Sequence, residues 1–221
     1  MPAPWTLLAT AATPEGALEL RQRGADYLIQ IGGRVLMNSA ARRSEEALAT
    51  LGLAGIGPRP RVLIGGLGMG CTLRAALDAL PGDAVVEVAE LNPIVLGWCR
   101  GPLGALTNDA VADRRVVVRE GDVSRFIREA SPASYDAILL DLYEGPHAAS
   151  QRPDDPFFGP TALARTRNAL KAKGPLAIWA EILDAGFERR FSAAGFDVTA
   201  HKIKGGGSWN HIVYLGHRRG R

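Results

Sequence analysis

Cysteine is nearly missing from this chain, with only Cys71 and Cys99 among 221 residues. Their spacing fits neither a zinc site nor a redox pair. No metal is therefore expected, and both read as small buried side chains in a reducing, cytoplasmic setting. No apolar run approaches the roughly 18 residues a membrane helix needs. The opening stretch, MPAPWTLLATAATPEGA, also lacks a cationic start, so neither a membrane span nor a signal peptide is predicted. Aromatics make up 6% of the chain, and the net charge is only +3, part of it in HRRGR at 217–221. No basic stripe with interleaved aromatics offers itself to a nucleic acid. Internal repeats are absent, and so is the GK[ST] that would follow a phosphate-binding glycine loop.

What is present suits one compact α/β domain with a small appendage: 47% hydrophobic and 22% charged residues. Residues 17–38 alternate like two or three short antiparallel strands, and 39–53 have a helical pattern. The Gly/Pro-rich AGIGPRPR at 54–61 marks the boundary, giving an N-terminal unit over 1–57 and a main domain over 58–221. Apolar strands at 61–66, 84–91, 115–121, 135–142 and 175–182 then alternate with helical stretches at 72–80, 93–106, 123–130 and 159–172. One more helix is predicted over 187–196, and 197–216 reads as a closing antiparallel hairpin. Buried strands alternating with amphipathic helices predict a doubly wound, mainly parallel, Rossmann-like sheet.

Ligands of such sheets sit beyond the carboxyl ends of the strands, so the polar residues there are the site candidates. GLGMG at 66–70 places Gly66, Gly68 and Gly70 in a strand-to-helix turn, with Met69 between the last two. Glu90 ends the second strand, 20 residues after Gly70, where an acid can accept bonds from ribose hydroxyls. Asp122 ends the third strand and can accept from an adenine amino group, or simply cap the helix that follows. Asp141 and Glu144, in DLYEGP at 141–146, end the fourth. Leu91 and Val123 adjoin the two adenosine acids and complete the expected cofactor set. Carboxylates on three strand ends around one glycine turn suggest a ligand with ribose, amino and cationic groups. The GxGxG spacing departs from the GxGxxG of dinucleotide sites, and an acidic rim suits a sulfonium better than phosphates. The expected cofactor is S-adenosylmethionine (SAM) or a close relative.

These stretches resemble the spermidine synthase family, polyamine aminopropyltransferases built on the SAM-methyltransferase fold. The resemblance runs through the glycine turn with TLR (72–74), AELNP (89–93), EGDV (120–123), YDAILLD (135–141), FF (157–158) and NALKAKGPLAI (168–178). It implies a small N-terminal β-domain beside the Rossmann-like core, a homodimer, and decarboxylated SAM as the group donor. The family's glycine motif carries an aspartate that helps hold the amino end of decarboxylated SAM, and Met69 stands there instead. Of the family's D-x-x-D-P signature this chain keeps Asp141 and, one methylene longer, Glu144. A tyrosine lining the family's amine site aligns near Ser44, which is otherwise a helix cap.

Met69 weighs on which cofactor is expected. SAM carries a carboxylate that decarboxylated SAM lacks, and an acid in the turn would repel it by about 4 kcal/mol at 4 Å and an effective dielectric of about 20. Its removal favours SAM. The sequence thus points first to a methyltransferase acting on a small amine- or hydroxyl-bearing molecule, with Asp141 orienting an amino group and Glu144 as base. Tyr143 and His147 flank that base and are expected to shape the acceptor pocket. The alternative keeps aminopropyl transfer from decarboxylated SAM to a polyamine. A SAM cyclase or lyase, or a nucleoside-binding module without catalysis, are the further alternatives.

Overall fold

The computed structural model describes residues 3–143, 145–147, 152–204 and 210–220. Two sheets carry the chain. The first is a meander of four antiparallel strands, β1 (Thr6–Thr13), β2 (Gly16–Arg23), β3 (Asp26–Ile31) and β4 (Arg34–Asn38), in that spatial order. Its first strand, TLLATAAT, lies outside the predicted hairpin unit. Leu7 and Leu8 are adjacent and exposed there, the other side chains are small or carry hydroxyls, and most of the strand stays exposed.

Helix α1 (Arg43–Gly52) leads into the second sheet, whose strands are β5 (Arg61–Gly65), β6 (Val85–Glu90), β7 (Val116–Glu120), β8 (Ala137–Leu140), β9 (Pro175–Ala180), β10 (Phe196–Lys204) and β11 (Asn210–Arg218). Their spatial order is β10-β11-β9-β8-β5-β6-β7. Strands β5 to β9 run parallel, while β11 is antiparallel to both β9 and β10. Helices α2 (Cys71–Ala79), α3 (Pro93–Cys99), α4 (Gly104–Thr107), α5 (Val123–Glu129), α6 (Pro160–Ala169) and α7 (Ala185–Ala193) make the connections. This is the doubly wound sheet with a closing hairpin that the strand pattern predicts. The helix expected over 93–106 is split in two, because the Arg100–Leu103 stretch, with its Gly-Pro pair, ends one helix before the next begins.

The strand sequences explain the layering. In β5, Val62 and Ile64 face one core while Leu63 faces the other, and Ala137/Leu139 against Ile138/Leu140 repeat this in β8. Both faces are dry, so the strands are continuously apolar rather than alternating. One core packs α1, α2, α3 and the inner face of the small sheet, including Leu18, Leu20 and Ile29. The other packs α5, α6 and α7, with a ring cluster of Phe187, Phe191, Phe196 and Tyr214.

Helix α1, which links the small sheet to β5, packs on the large sheet. Gly52 approaches so closely that an added methyl would stand 2.3 Å from Leu139 Cδ2 and 2.9 Å from the Ala177 methyl. Among the described residues no helix is long and apolar enough to cross a membrane.

Candidate functional site

The strand order reverses between β5 and β8, and the crevice at that reversal is where a doubly wound sheet receives ligands. The glycine turn fills it. Gly66 donates its N–H to the Ala89 carbonyl at 2.9 Å, and the Asp141 N–H donates to the Gly65 carbonyl at 2.8 Å, so β5, β6 and β8 are tied together at the mouth. Gly66, Gly68 and Gly70 have φ of +88°, +52° and +82°, the left-handed region where a side chain is costly. At Gly66 space forbids one as well, since a Cβ would lie 2.1 Å from the Asp141 carbonyl oxygen. At Gly68 the obstacle is the Met37 thioether of the small sheet. Cys99 donates its thiol to the Gly68 carbonyl at 3.2 Å, and burial, reinforced by Glu90, pushes that thiol up to about 12.

Glu90 ends β6 inside the crevice. Its Oε2 accepts from the Leu67 N–H at 2.9 Å and its Oε1 from the Asn92 N–H at 2.7 Å. Two backbone amides thus fix the carboxylate, and each oxygen keeps a lone pair for a further donor. Leu91 beside it is 72% exposed, whereas Val123 is buried in the second core. Asp122 caps α5 through Oδ1, which accepts from the Ser124 N–H at 2.8 Å.

Asp141 stands just past β8. Thr72, buried on the first turn of α2, donates to its Oδ2 at 2.6 Å. Burial, with Glu45 adding repulsion, pushes this carboxyl up to about 7, and the Thr72 bond offsets only part of that. Between the turn and the small sheet runs a cleft lined by Met37, Ser39, Glu45, Met69, Cys71 and Asp141. The Cys71 thiol is held at about 12 by burial, then by Glu45 and Asp141, so it offers no thiolate. Met69 is buried.

Ser44 is buried, and its Oγ donates to Glu45 Oε2 at 2.6 Å and lies 2.9 Å from His211 Nδ1. What it gives the cleft is therefore the position of Glu45. Tyr143 is exposed at the rim, with the Arg34 guanidinium 5.1 Å from its ring centre. His147 is half-buried further along the same segment, and Glu144 lies outside the described residues. The described residues gather no group of three or more His, Cys, Asp or Glu that could hold a metal.

Sequence reasoning did not single out Glu45, Thr72 or His211. The stretch RRSEEALA at 42–49 reads either as part of an acceptor site or as a solvated helix start, and the structure places its Glu45 in the cleft. Thr72 belongs to the quoted TLR, but nothing local says that its hydroxyl meets a residue 69 positions away.

No protein-family model matches the chain. It is 31% identical over 183 residues to polyamine aminopropyltransferase 2 of Streptomyces coelicolor, covering 78% of this chain and 32% of that one. To spermine synthase of Arabidopsis thaliana it is 32% identical over 139 residues, covering 62% and 36%. The chain thus spans about a third of the length of the curated relatives it matches. Among solved structures, spermidine synthase from Thermotoga maritima superposes with a TM-score of 0.75 at 18% identity, covering 96% of this chain and 72% of that one. A spermidine synthase in complex with the transition state analogue AdoDATO gives 0.73 at 18%, with the same coverage.

These relatives overturn the expectation of methyl transfer. The curated proteins bear the names of an aminopropyltransferase and a polyamine synthase, and the matched folds are spermidine synthases. The physical slip is visible as well. Met69 leaves the turn without an acid, but Glu45 of α1 brings a carboxylate to the same cleft.

Proposed function

From a chain that is spermidine synthase-like in sequence and fold, we propose aminopropyl transfer from decarboxylated SAM to an amine of the polyamine class. The observation that carries the reading is the pairing of those relatives with a cleft whose charged walls, Asp141 and Glu45, are both acidic. Such a cleft suits the bare ammonium of decarboxylated SAM and repels the carboxylate of SAM.

Each residue has a task in this reading. Glu90, already fixed by two amides, accepts from the ribose hydroxyls, and Asp122 accepts from the adenine amino group. The glycine turn lets the backbone approach the nucleoside without side chains between. Asp141 takes the propylammonium end. Decarboxylated SAM, when bound, supplies an electrophilic propyl carbon beside a sulfonium. The acceptor nitrogen bonds to that carbon as the carbon–sulfur bond breaks, its electron pair passes to sulfur, and methylthioadenosine departs. Glu144 receives the proton that the alkylated nitrogen sheds, and Tyr143 and His147 border the acceptor. Holding nucleophile and carbon in line is the larger contribution, about 7–11 kcal/mol of barrier in well-oriented systems.

Release of methylthioadenosine from decarboxylated SAM, measured across a panel of diamines and polyamines, tests this directly. Turnover with at least one amine is expected. Glu144→Gln should lower kcat by about 10²–10⁴-fold, the usual worth of a general base. No release with any amine would remove the proposal.

A further inference from the structure

We propose that Glu45 is the second anionic contact for the propylammonium of the donor, and that Ser44 and His211 are the positioning residues that hold it there. The inference rests on the aminopropyl-transfer reading and adds to it a residue from outside the glycine turn and the strand ends.

The geometry is directional. A serine hydroxyl has one proton, and that of Ser44 goes to Glu45 Oε2 at 2.6 Å. His211 Nδ1, 2.9 Å from the same oxygen, must then be the donor. The relay runs from His211 Nδ1–H to Ser44 Oγ and from Ser44 Oγ–H to Glu45. The imidazole is itself oriented, because its ring lies against that of Trp179, with centroids 5.0 Å apart and planes inclined by 54°. These anchors come from β9 and β11, and α1 is seated on the same sheet through Gly52. Glu45 therefore stands on a rigid support, with Oε2 held by the Ser44 hydroxyl.

Its carboxylate shares the cleft with Asp141, while Met69 and Cys71 on the adjoining wall carry no charge there. Two carboxylates lining one narrow space repel each other unless one takes up a proton or a cation lies between them. A primary ammonium, with three donors and no acceptor, fits such a pair. The arrangement also selects against a carboxylate on the same carbon, and so against SAM itself.

Calorimetric titration of wild type, Glu45→Gln and Ser44→Ala with decarboxylated SAM and with methylthioadenosine separates the possibilities, since methylthioadenosine shares the nucleoside but lacks the ammonium. Glu45→Gln should weaken decarboxylated SAM by about tenfold or more, the scale of a charge-assisted contact, and leave methylthioadenosine within about twofold. Ser44→Ala should weaken the same ligand by a smaller factor, about threefold, because Glu45 keeps its charge but loses its anchor. Equal losses for both nucleosides, or none for either, would overturn the assignment. If wild type binds neither nucleoside, the aminopropyl-transfer reading itself fails. If wild type binds both and Glu45→Gln changes neither, only the role of Glu45 falls.

Discussion

Asp141→Asn is expected to strengthen the fold above neutral pH while nearly abolishing capture of a cationic donor. Burial and Glu45 raise the Asp141 carboxyl to about 7 in the folded chain, against about 3.9 when unfolded. Between those values the folded state holds a proton that the unfolded state has released. Stability is therefore fullest below about pH 4, falls as pH rises, and is lowest above about 7. Some three units correspond to roughly 4 kcal/mol. The asparagine variant cannot ionise and escapes this decline, while its amide oxygen still accepts from Thr72. Urea unfolding at pH 5 and pH 8 should show wild type weaker at the higher pH and the variant unchanged.

Binding moves the other way. The ligand needs the carboxylate, so wild-type affinity for decarboxylated SAM should rise as pH passes through 7. The variant should lose about 2–4 kcal/mol of it at pH 8, as expected for a buried charge-assisted contact. A wild-type stability that stays flat between pH 5 and 8 would mean that Asp141 does not titrate there.

The second large effect is expected at Gly66. An alanine there must adopt φ near +88° and place its methyl 2.1 Å from the Asp141 carbonyl oxygen. Left-handed backbone costs an L-residue about 1–2 kcal/mol, and displacing a neighbouring strand end adds about 1–3. A loss of about 2–5 kcal/mol is expected, together with loss of nucleoside binding, because the displaced atom belongs to Asp141. Gly68→Ala meets only the end of Met37, a side chain that can swing aside, and should cost about 1–2 kcal/mol. Gly97→Ala, mid-helix in α3 with nothing within 4 Å, should gain about 0.5–1 kcal/mol. Chemical denaturation of the three variants ranks them. Equal tolerance at Gly66 and Gly68 would contradict the close approach of the turn to β8.

The contrast between these positions shows what the sequence can reveal. The β5 glycine turn was legible because a dry strand running into three glycines has few other uses, and Glu90 followed from its spacing. The central strands of the large sheet were legible because both their faces are buried. The first strand was not, since TLLATAAT buries little and leaves no pattern. Glu45 was not, because its partner Ser44 meets His211, 167 residues away in the chain. The mistaken preference for methyl transfer has the same origin. Met69 announced a missing charge locally, while the charge of Glu45 in the same cleft arrives from α1, distant in sequence.

Strand β4 touches the crevice at two points, with Met37 over the glycine turn and Arg34 over Tyr143 at the rim. The residue after the strand, Ser39, lines the cleft itself and accepts from the Tyr27 N–H at 2.7 Å. The small sheet is thus part of the wall, and it shares one apolar core with α1 and α2. Heating should melt both sheets in a single cooperative peak. A fragment cut after Asn38 would keep every strand of the large sheet, yet its binding site would be missing one side.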